Sequence, residues 1–122
     1  MEKVTGIGGV FFRAKDPKAL KLWYQQHLGV APTPTGDKDK ELPWTQEAGA
    51  TAFEPFPADS SYFGRPEQAW MINFRVRNLD AMVKQLSDAG IAVKVDPQPY
   101  PFGRFARLHD PEGNPIELWQ PV

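Results

Sequence analysis

The sequence predicts an α+β fold made of two similar halves, each a β-strand followed by an α-helix and further strands. The first observation behind this prediction is an internal repeat, because residues 9–16 and 71–78 both read as a strand that leads into a capped helix. The second is that both predicted helices end at a glycine, and the third is a two-stranded hairpin at the end of the chain. Neither half could bury enough apolar surface alone, so the two are expected to pack together and form a concave face.

The first half begins with residues Ile7–Ala14, which are rich in β-forming residues and are predicted to form a strand. Asp16 is a favourable N-cap and Pro17 suits the first helical position, so a helix is predicted to begin there. Gly29 is predicted to end it. The apolar stripe of this helix has helical spacing and consists of Leu20, Trp23, Tyr24 and Leu28.

A polar segment follows this helix. Residues Ala31–Pro43 are rich in proline, glycine and charge, and are predicted to form a loop with at most one short strand. A hairpin is predicted over Leu42–Gln46 and Ala50–Phe56. We therefore divide a single domain, residues 1–122, into module one at about 4–57, a linker at 58–68 and module two at about 69–122.

The second half repeats this order of elements. Residues Trp70–Val76 are predicted to form a strand, and Asn78 can cap a second helix that ends at Gly90. Residues Ile91–Val95 are predicted to be the next strand, and Pro97–Gly103 an exposed loop. The apolar stripe of the second helix consists of Leu79, Met82, Val83, Leu86 and Ala89.

The closing hairpin is the clearest local signal in the chain. Asp110 suits the first position of a tight turn, where its carboxylate can accept hydrogen bonds from backbone N–H groups. Because side chains alternate across a strand, Ile116 and Leu118 share one face of the last strand. Glu117 and Trp119 therefore lie on the opposite face, so that a carboxylate is placed beside an indole.

The first strand of each half is expected to turn one face to the helices and the other to a cup between the modules. The apolar face consists of Val10, Phe12, Ala14, Ile72, Phe74 and Val76. The opposite face consists of Gly9, Phe11, Arg13, Met71, Asn73 and Arg75. Two arginines in a core would lose their hydration without obvious partners, so this second face is predicted to be open to solvent or ligand.

Composition excludes several functions. The 122 residues include 41% hydrophobic residues, enough for a core, and 14 basic residues balance 15 acidic ones. This balance gives no electrostatic case for nucleic acid or an anionic membrane as a partner. The absence of cysteine removes disulfides and thiolate chemistry. Because no signal-peptide or membrane-spanning pattern is present, a soluble cytoplasmic protein is expected.

The run D-P-E-G-N-P-I-E-L-W at residues 110–119 resembles the end of proteins of the vicinal oxygen chelate superfamily. This superfamily includes glyoxalase, bleomycin-resistance proteins, fosfomycin-modifying transferases and extradiol dioxygenases. The resemblance covers nearly the whole chain and implies two β-α-β-β-β modules that form a curved mixed sheet around a cleft. In metal-dependent members one divalent ion binds there through up to four ligands, usually His, Glu or Gln, from the first and last strands of each module.

Few of the implied ligand positions carry a residue that could ligate a metal. The first-strand positions are Gly9 and Met71, and neither a glycine nor a thioether can ligate a hard or borderline cation. The last-strand position of the second module is Glu117. Its counterpart in the first module is Phe53, or Glu54 if the register slips by one residue. Two carboxylates at most would remain, and they would hold an ion weakly.

Metal-independent binding of a small molecule, similar to that of the bleomycin-resistance proteins, is therefore the preferred function. The alternative is a divalent-metal-dependent lyase, isomerase or transferase in which Glu117, Glu54 and water hold the ion. A third reading is an accessory dimeric module without a ligand, and whether the chain is an enzyme stays open. Chains of this length in the superfamily are commonly homodimers, and an apolar surface around Trp70 and Phe63 would suit that assembly.

Each candidate site residue also has a structural explanation. Glu117 is the leading candidate for a metal ligand or general base, but an ion pair with Arg75 or Arg107 would explain it equally well. Arginines on the cup face could bind an anionic or polar ligand or be solvated. Aromatic residues, including Tyr62, could form a wall for a flat ligand or pack in the core or an interface. His27 and His109 are expected to be structural. The predicted ligand site consists of Phe11, Arg13, Trp44, Phe53, Asn73, Arg75, Arg107, Glu117 and Trp119.

Overall fold

The computed structural model describes residues 1–30 and 44–122 of the chain. Two helices and four strands form in this part of the molecule. In chain order they are α1 (Pro17–Leu28), β1 (Ile72–Arg75), α2 (Leu79–Asp88), β2 (Lys94–Val95), β3 (Gly103–His109) and β4 (Pro115–Pro121). The second half thus has the predicted order of strand, helix and three strands.

The four strands form one open, mixed sheet in the order β1-β4-β3-β2. β1 pairs with β4 in parallel, whereas β4 with β3 and β3 with β2 are antiparallel. The predicted α+β class with a mixed sheet is confirmed. The closing hairpin forms as predicted, and it supplies the two central strands, so it organises the sheet.

One face of the sheet packs against both helices and forms the core. Leu118 lies in register between Phe74 of β1 and Ala106 of β3 on this face. These positions alternate along each strand with residues of the opposite face, as the sequence predicted for Ile116 and Leu118. The buried core residues are Leu20, Tyr24, Leu79, Leu86, Ala106, Leu108, Ile116 and Leu118.

Both helices begin and end where the sequence predicts. The Asp16 carboxylate accepts a hydrogen bond of 3.1 Å from the backbone N–H of Ala19, and Asn78 caps α2 in the same way. Gly29 follows α1 with a left-handed φ of 67°. Gly90 has a φ of 80° just after α2. Glycine suits both positions because it adopts positive φ without a Cβ penalty.

The turn between β3 and β4 is held by the buried carboxylate of Asp110, which is 5% exposed. It accepts hydrogen bonds from the backbone N–H groups of Glu112 at 2.9 Å and Asn114 at 3.0 Å, as the sequence predicted. The Glu112 carboxylate in turn accepts from the backbone N–H groups of Lys15 at 2.6 Å and Asp16 at 3.0 Å. The turn is therefore tied to the start of α1, which fixes this helix on the sheet.

The strands predicted in the first half do not form in the described residues. Ile7–Ala14 is not paired with any described strand, and the same is true of residues 50–56. Leu42 and Pro43 of the predicted hairpin lie outside the described residues, as does the predicted loop Ala31–Pro43. Because β-forming composition indicates only that a segment suits a pleated surface, it cannot supply a partner strand. The division into two modules stays a prediction.

The predicted placement of apolar residues in the first half is partly wrong. Val10 and Phe12 were expected to cover the helix, but Val10 is 56% exposed, and Phe12 packs on Trp70 with ring centroids 4.9 Å apart. Ala14 does pack against the core. Trp70 and Phe63, around which an apolar surface would suit a homodimer, are both half-buried, and each contacts another aromatic ring. In the second half the strand predicted at Ile91–Val95 is shorter, since only Lys94 and Val95 pair with β3.

Candidate functional site

The sheet face opposite the core carries two rows of side chains that matter for function. In the first row, Glu117 of β4 lies in register between Asn73 of β1 and Arg107 of β3, and we call these three residues the polar row. In the second, Trp119 lies in register between Arg75 and Phe105, and we call these three the aromatic row. Because side chains two apart on a strand share a face, the two rows are neighbours.

The polar row is capped by Tyr62, which comes from the segment between the two halves. The Tyr62 hydroxyl donates a hydrogen bond to Oε2 of Glu117, and Asn73 Nδ2 donates to Oε1 at 2.8 Å. The Arg107 guanidinium lies over the Tyr62 ring, with Cζ 4.0 Å from the centroid, and donates to the Tyr62 backbone carbonyl. Each carboxylate oxygen of Glu117 therefore accepts a hydrogen bond.

The protonation of Tyr62 follows from these contacts. Burial, and then the hydrogen bond to Glu117, raise the pKa of Tyr62 well above the ordinary value of a phenol, while Arg107 opposes this. The phenol thus stays protonated at neutral pH and remains a donor to Glu117. The sequence analysis considered an ion pair between Glu117 and Arg75 or Arg107, but in the described residues the partners of Glu117 are Asn73 and Tyr62.

The aromatic row continues into the loop before β3. The Trp119 and Phe105 rings are nearly parallel, at 7°, with centroids 6.4 Å apart. Phe105 also meets Tyr100 and Phe102 edge-on, each with a centroid distance of 5.7 Å. Trp119 Nε1 donates a 2.9 Å hydrogen bond to the Phe102 carbonyl, which holds the indole in place. A continuous aromatic surface therefore extends from the sheet onto the loop.

A glycine in this loop allows the backbone to pass close to Trp119. Gly103 has a φ of 137°, and a Cβ on it would lie 2.7 Å from Trp119 Nε1 and closer still to the Gln120 carbonyl. Only a glycine at position 103 allows the loop to approach the indole so closely. In the same loop, the Tyr100 hydroxyl donates to the Asp96 carboxylate at 2.8 Å, and this bond is the main reason that the pKa of Tyr100 is raised.

A cleft of about 460 Å³ opens beside the aromatic row. Residues 46–52, which precede the linker, form one of its walls, and β1 with the end of β4 forms the other. Arg75 joins the walls, because its guanidinium donates to the Glu47 carbonyl at 3.1 Å and lies directly against Gly49. Arg77 forms an exposed ion pair with the Glu47 carboxylate. The predicted site residues that line the cleft are Trp44, Asn73, Arg75 and Trp119.

The other predicted site residues are placed differently. Glu117 and Arg107 belong to the polar row that adjoins the cleft rather than to its lining. Phe11 is 94% exposed and Phe53 is 83% exposed, and neither lines the cleft in the described structure. Arg13 is exposed and also lies outside it. These three were assigned to the cup by counting along predicted strands, and those strands do not form.

Sequence reasoning missed two features of this face. Phe105 was not considered, although its alternation with Arg107 on β3 was a signal that could have found it. Tyr62 was considered only as part of an aromatic wall, and its contact with Glu117, 55 residues away, had no signal. The segment that carries Tyr62 has no strand or helix period from which a direction could be inferred.

The described residues offer few ligands for a divalent metal. Glu117 has both oxygens engaged by neutral donors, and neither Glu54 nor Phe53 lines the cleft. Gly9 is exposed and belongs to an N-terminal segment that forms no strand with the described residues. Within the described part of the chain there is also no group of three His, Cys, Asp or Glu residues that could hold an ion.

An open mixed sheet, with helices on one face and a polar and aromatic surface beside a cleft on the other, defines a glyoxalase-like protein. The chain belongs to the glyoxalase-like domain family, whose model matches residues 9–119. This places it in the vicinal oxygen chelate superfamily, as the terminal run of residues indicated. Among the described residues no helix is both long and apolar enough to cross a membrane.

Two curated relatives are anthracycline biosynthesis proteins from Streptomyces. The chain is 30% identical to the anthracycline biosynthesis protein DauV of Streptomyces sp. (strain C5) over 125 residues, which cover 91% of this chain and 41% of the relative. It is 31% identical to the anthracycline biosynthesis protein DnrV of Streptomyces peucetius over the same lengths. The chain thus spans about two fifths of the length of these relatives.

Solved structures show the same fold. TnmS3, an antibiotic binding protein from Streptomyces sp. CB03234, is 28% identical, with 88% of each chain covered and a TM-score of 0.52. A glyoxylase/bleomycin resistance protein/dioxygenase domain from Frankia sp. EAN1pec has a TM-score of 0.59. It is 19% identical, and the match covers 98% of this chain and all of that one. The second likeness concerns the fold alone.

Proposed function

We propose that this protein binds a flat, partly aromatic small molecule in the cleft beside Trp119 and does so without a metal. The observation that carries the proposal is the convergence of Trp44, Asn73, Arg75 and Trp119 on one cleft of about 460 Å³. This volume lies within the range of roughly 300–1,000 Å³ that is typical of small-molecule sites. The lining combines aromatic faces with a few polar groups, which suits a planar ligand with polar substituents.

The rigidity of Trp119 supports this proposal. Its Nε1–H is bound to the Phe102 carbonyl and its ring lies nearly parallel to Phe105. A ligand that stacks on the indole therefore does not have to order it, which lowers the entropic cost of binding. Arg75 lies in the same row and adds a cation at the edge of the stacking surface.

The relatives support the same class of ligand. TnmS3 is an antibiotic binding protein, and DauV and DnrV are anthracycline biosynthesis proteins. Anthracyclines are planar fused-ring molecules with polar edges, and a planar ring can stack on the Trp119 indole that lines the cleft. We therefore extend the proposal to a fused-ring natural product, bound and sequestered rather than transformed.

Metal independence is proposed because of the donor set. The Glu117 carboxylate already accepts from Tyr62 and Asn73, and a single carboxylate would hold a divalent ion weakly. The alternative, a metal-dependent lyase, isomerase or transferase, needs Glu54 beside Glu117, and Glu54 does not line the cleft. The polar row therefore supports binding by hydrogen bonds.

We further propose that the protein is a homodimer, and we retain the cytoplasmic location as a sequence-based prediction. Exposed apolar residues are concentrated before α1, where a second copy could cover Val4, Ile7, Val10 and Phe11. Light scattering after size exclusion should give a dimer mass, and Phe11→Asp should reduce it to that of one chain. Leu22→Asp, at an exposed apolar residue of α1, should leave the mass unchanged. A monomeric wild-type protein would contradict this proposal.

The binding proposal is tested with 1,4-dihydroxyanthraquinone as a planar probe in isothermal titration calorimetry. We expect one binding event per chain, weakened about tenfold or more by Trp119→Ala because the stacking surface is lost. Phe53→Ala removes an exposed aromatic residue outside the cleft and should change the affinity by less than about twofold. Equal loss in both variants, or no binding by the wild type, would overturn the proposal.

A further inference from the structure

Tyr62 contacts the polar row in the way that a bound phenol would. An aromatic ring carries a hydroxyl that donates to a carboxylate, and a guanidinium lies over the ring face at 4.0 Å from the centroid. Asn73 supports the other oxygen of the same carboxylate. This is the arrangement with which a protein recognises a phenol, since the acceptor is charged and the ring face meets a cation.

Few hydrogen bonds attach the segment of Tyr62 to the sheet. Its segment is ordered locally by turns, such as the hydrogen bond from Ser60 N–H to the Pro57 carbonyl at 3.0 Å. The hydrogen bonds described between residues 57–64 and the sheet are the two that Tyr62 makes, one through its hydroxyl and one through its carbonyl. The phenol can therefore leave the polar row without breaking a strand or the core.

The polar row adjoins the proposed ligand cleft. Asn73 belongs to both, because it lines the cleft and also donates to Glu117. Glu117 and Trp119 are two residues apart on the same face of β4, a separation of about 7 Å along the strand. A ligand of two or more fused rings stacked on Trp119 can place a hydroxyl near the Glu117 carboxylate.

We infer that the polar row is a phenol-binding subsite of the cleft, for which Tyr62 competes with an aromatic hydroxyl group on the ligand. The inference rests on the proposed function and adds to it the class of ligand, a fused-ring phenol. The Glu117 carboxylate accepts the hydroxyl proton of the ligand in a hydrogen bond, and Arg107 covers the ring that carries it. Tyr62 then acts as an internal competitor that lowers the affinity for a ligand hydroxyl at this subsite, because the ligand must displace the Tyr62 phenol from Glu117.

The test compares two probes that differ only in the hydroxyl group. Dissociation constants are measured for 2-naphthol and for 2-methoxynaphthalene, and the preference is the ratio of the second constant to the first. In the wild type the preference should exceed one. Tyr62→Ala vacates the subsite, so the preference should rise about tenfold, because a charge-assisted hydrogen bond forms without competition.

Further variants separate this effect from a change in folding. Glu117→Gln in the Tyr62→Ala background removes the charge of the acceptor and should return the preference to near one. Phe63→Ala removes the neighbouring ring of the same segment and should leave the preference at the wild-type value. Tyr62→Phe keeps the ring and should give a smaller rise than Tyr62→Ala, which provides a second measurement if the alanine variant does not fold.

The environment of Tyr62 can also be followed directly by NMR, since the chain contains only three tyrosines. With ¹³Cζ-labelled tyrosine, addition of 2-naphthol should move the Tyr62 resonance toward that of a solvent-exposed phenol, and 2-methoxynaphthalene should move it less. If both probes bind with equal affinity in wild type and Tyr62→Ala, this inference fails while the proposed cleft stands. If neither probe binds to any variant, both the inference and the proposed function fail.

Discussion

The Tyr24 hydroxyl of α1 donates a 2.7 Å hydrogen bond to the buried carboxylate of Asp110 in the β3–β4 turn. This bond joins residues 86 positions apart and connects α1 with the β3–β4 turn. Asn114 Nδ2 donates to the same oxygen at 2.7 Å. The turn therefore has a carboxylate at its centre whose acceptor positions are filled from the turn and from the helix.

Replacing the donor Tyr24 should lower the free energy of unfolding less than replacing the acceptor Asp110. Tyr24→Phe leaves Asp110 with its other donors, so the free energy of unfolding should fall by about 1–2 kcal/mol. Asp110→Ala leaves several buried donors without an acceptor and should cost about 3 kcal/mol or more. Urea unfolding followed by tryptophan fluorescence measures both values. A larger loss for Tyr24→Phe than for Asp110→Ala would contradict this account of the turn.

Stability should fall at alkaline pH because of two phenols. Burial and the bond to Asp110 raise the pKa of Tyr24, and burial and the bond to Glu117 raise that of Tyr62. In the unfolded chain these groups ionise near pH 10, so above that pH the unfolded state binds fewer protons and is favoured. The unfolding free energy should be insensitive to these groups below pH 9 and decrease above pH 10. Tyr24→Phe should make that decrease shallower, and an unchanged slope would refute the assignment.

Gly103→Ala should destabilise the protein and disturb the aromatic row. The new Cβ would contact the Gln120 carbonyl and Trp119 Nε1, at a φ of 137° that side-chain-bearing residues rarely adopt. We expect a loss of about 2 kcal/mol or more, together with weaker binding of a planar probe. Gly113→Ala is the control, because its φ of 84° carries a conformational cost of about 1 kcal/mol but no atom lies in the way. Equal losses at the two glycines would show that steric contact at position 103 is unimportant.

Divalent ions should not stabilise the folded protein. A ligand that binds the native state raises the melting temperature by mass action, and the described donor set gives an ion too few free oxygens. Mg²⁺, Mn²⁺, Ni²⁺, Co²⁺ and Zn²⁺ are expected to leave the melting temperature unchanged in the wild type and in Glu117→Ala. Elemental analysis of gently purified protein checks the same point. One metal per chain that Glu117→Ala removes would contradict metal-independent binding.

The accuracy of the sequence analysis differed between the halves of the chain. In the second half the helix capped by Asn78, the turn at Asp110 and the alternation of Glu117 with Leu118 were all correctly predicted. In the first half α1 was correct from Asp16 to Gly29, but the strand at Ile7–Ala14 was not. Caps and tight turns depend on atoms a few residues apart, so sequence reasoning finds them. A strand needs a distant partner, and that information is absent from the segment itself.

The candidate site shows the same division. The sequence alone placed Glu117 and Trp119 on one strand face, and the internal repeat placed Asn73 and Arg75 on another, because side chains alternate with a period of two. Only the tertiary structure decided that these faces join in two adjacent rows, and that Arg107 completes one of them. It also decided that Phe11 and Phe53 do not line the cleft.

The position of Tyr62 was decided entirely by the tertiary structure. The sequence determined the helix ends, the hairpin and the two faces of the sheet, because each depends on the chemistry of neighbouring residues. It did not determine that an irregular segment would return a phenol to Glu117, since turns set the path of such a segment and no periodic pattern records its direction. Side-chain alternation along a strand depends only on neighbouring residues. The contact between the polar row and the segment that carries Tyr62 forms only in the folded chain.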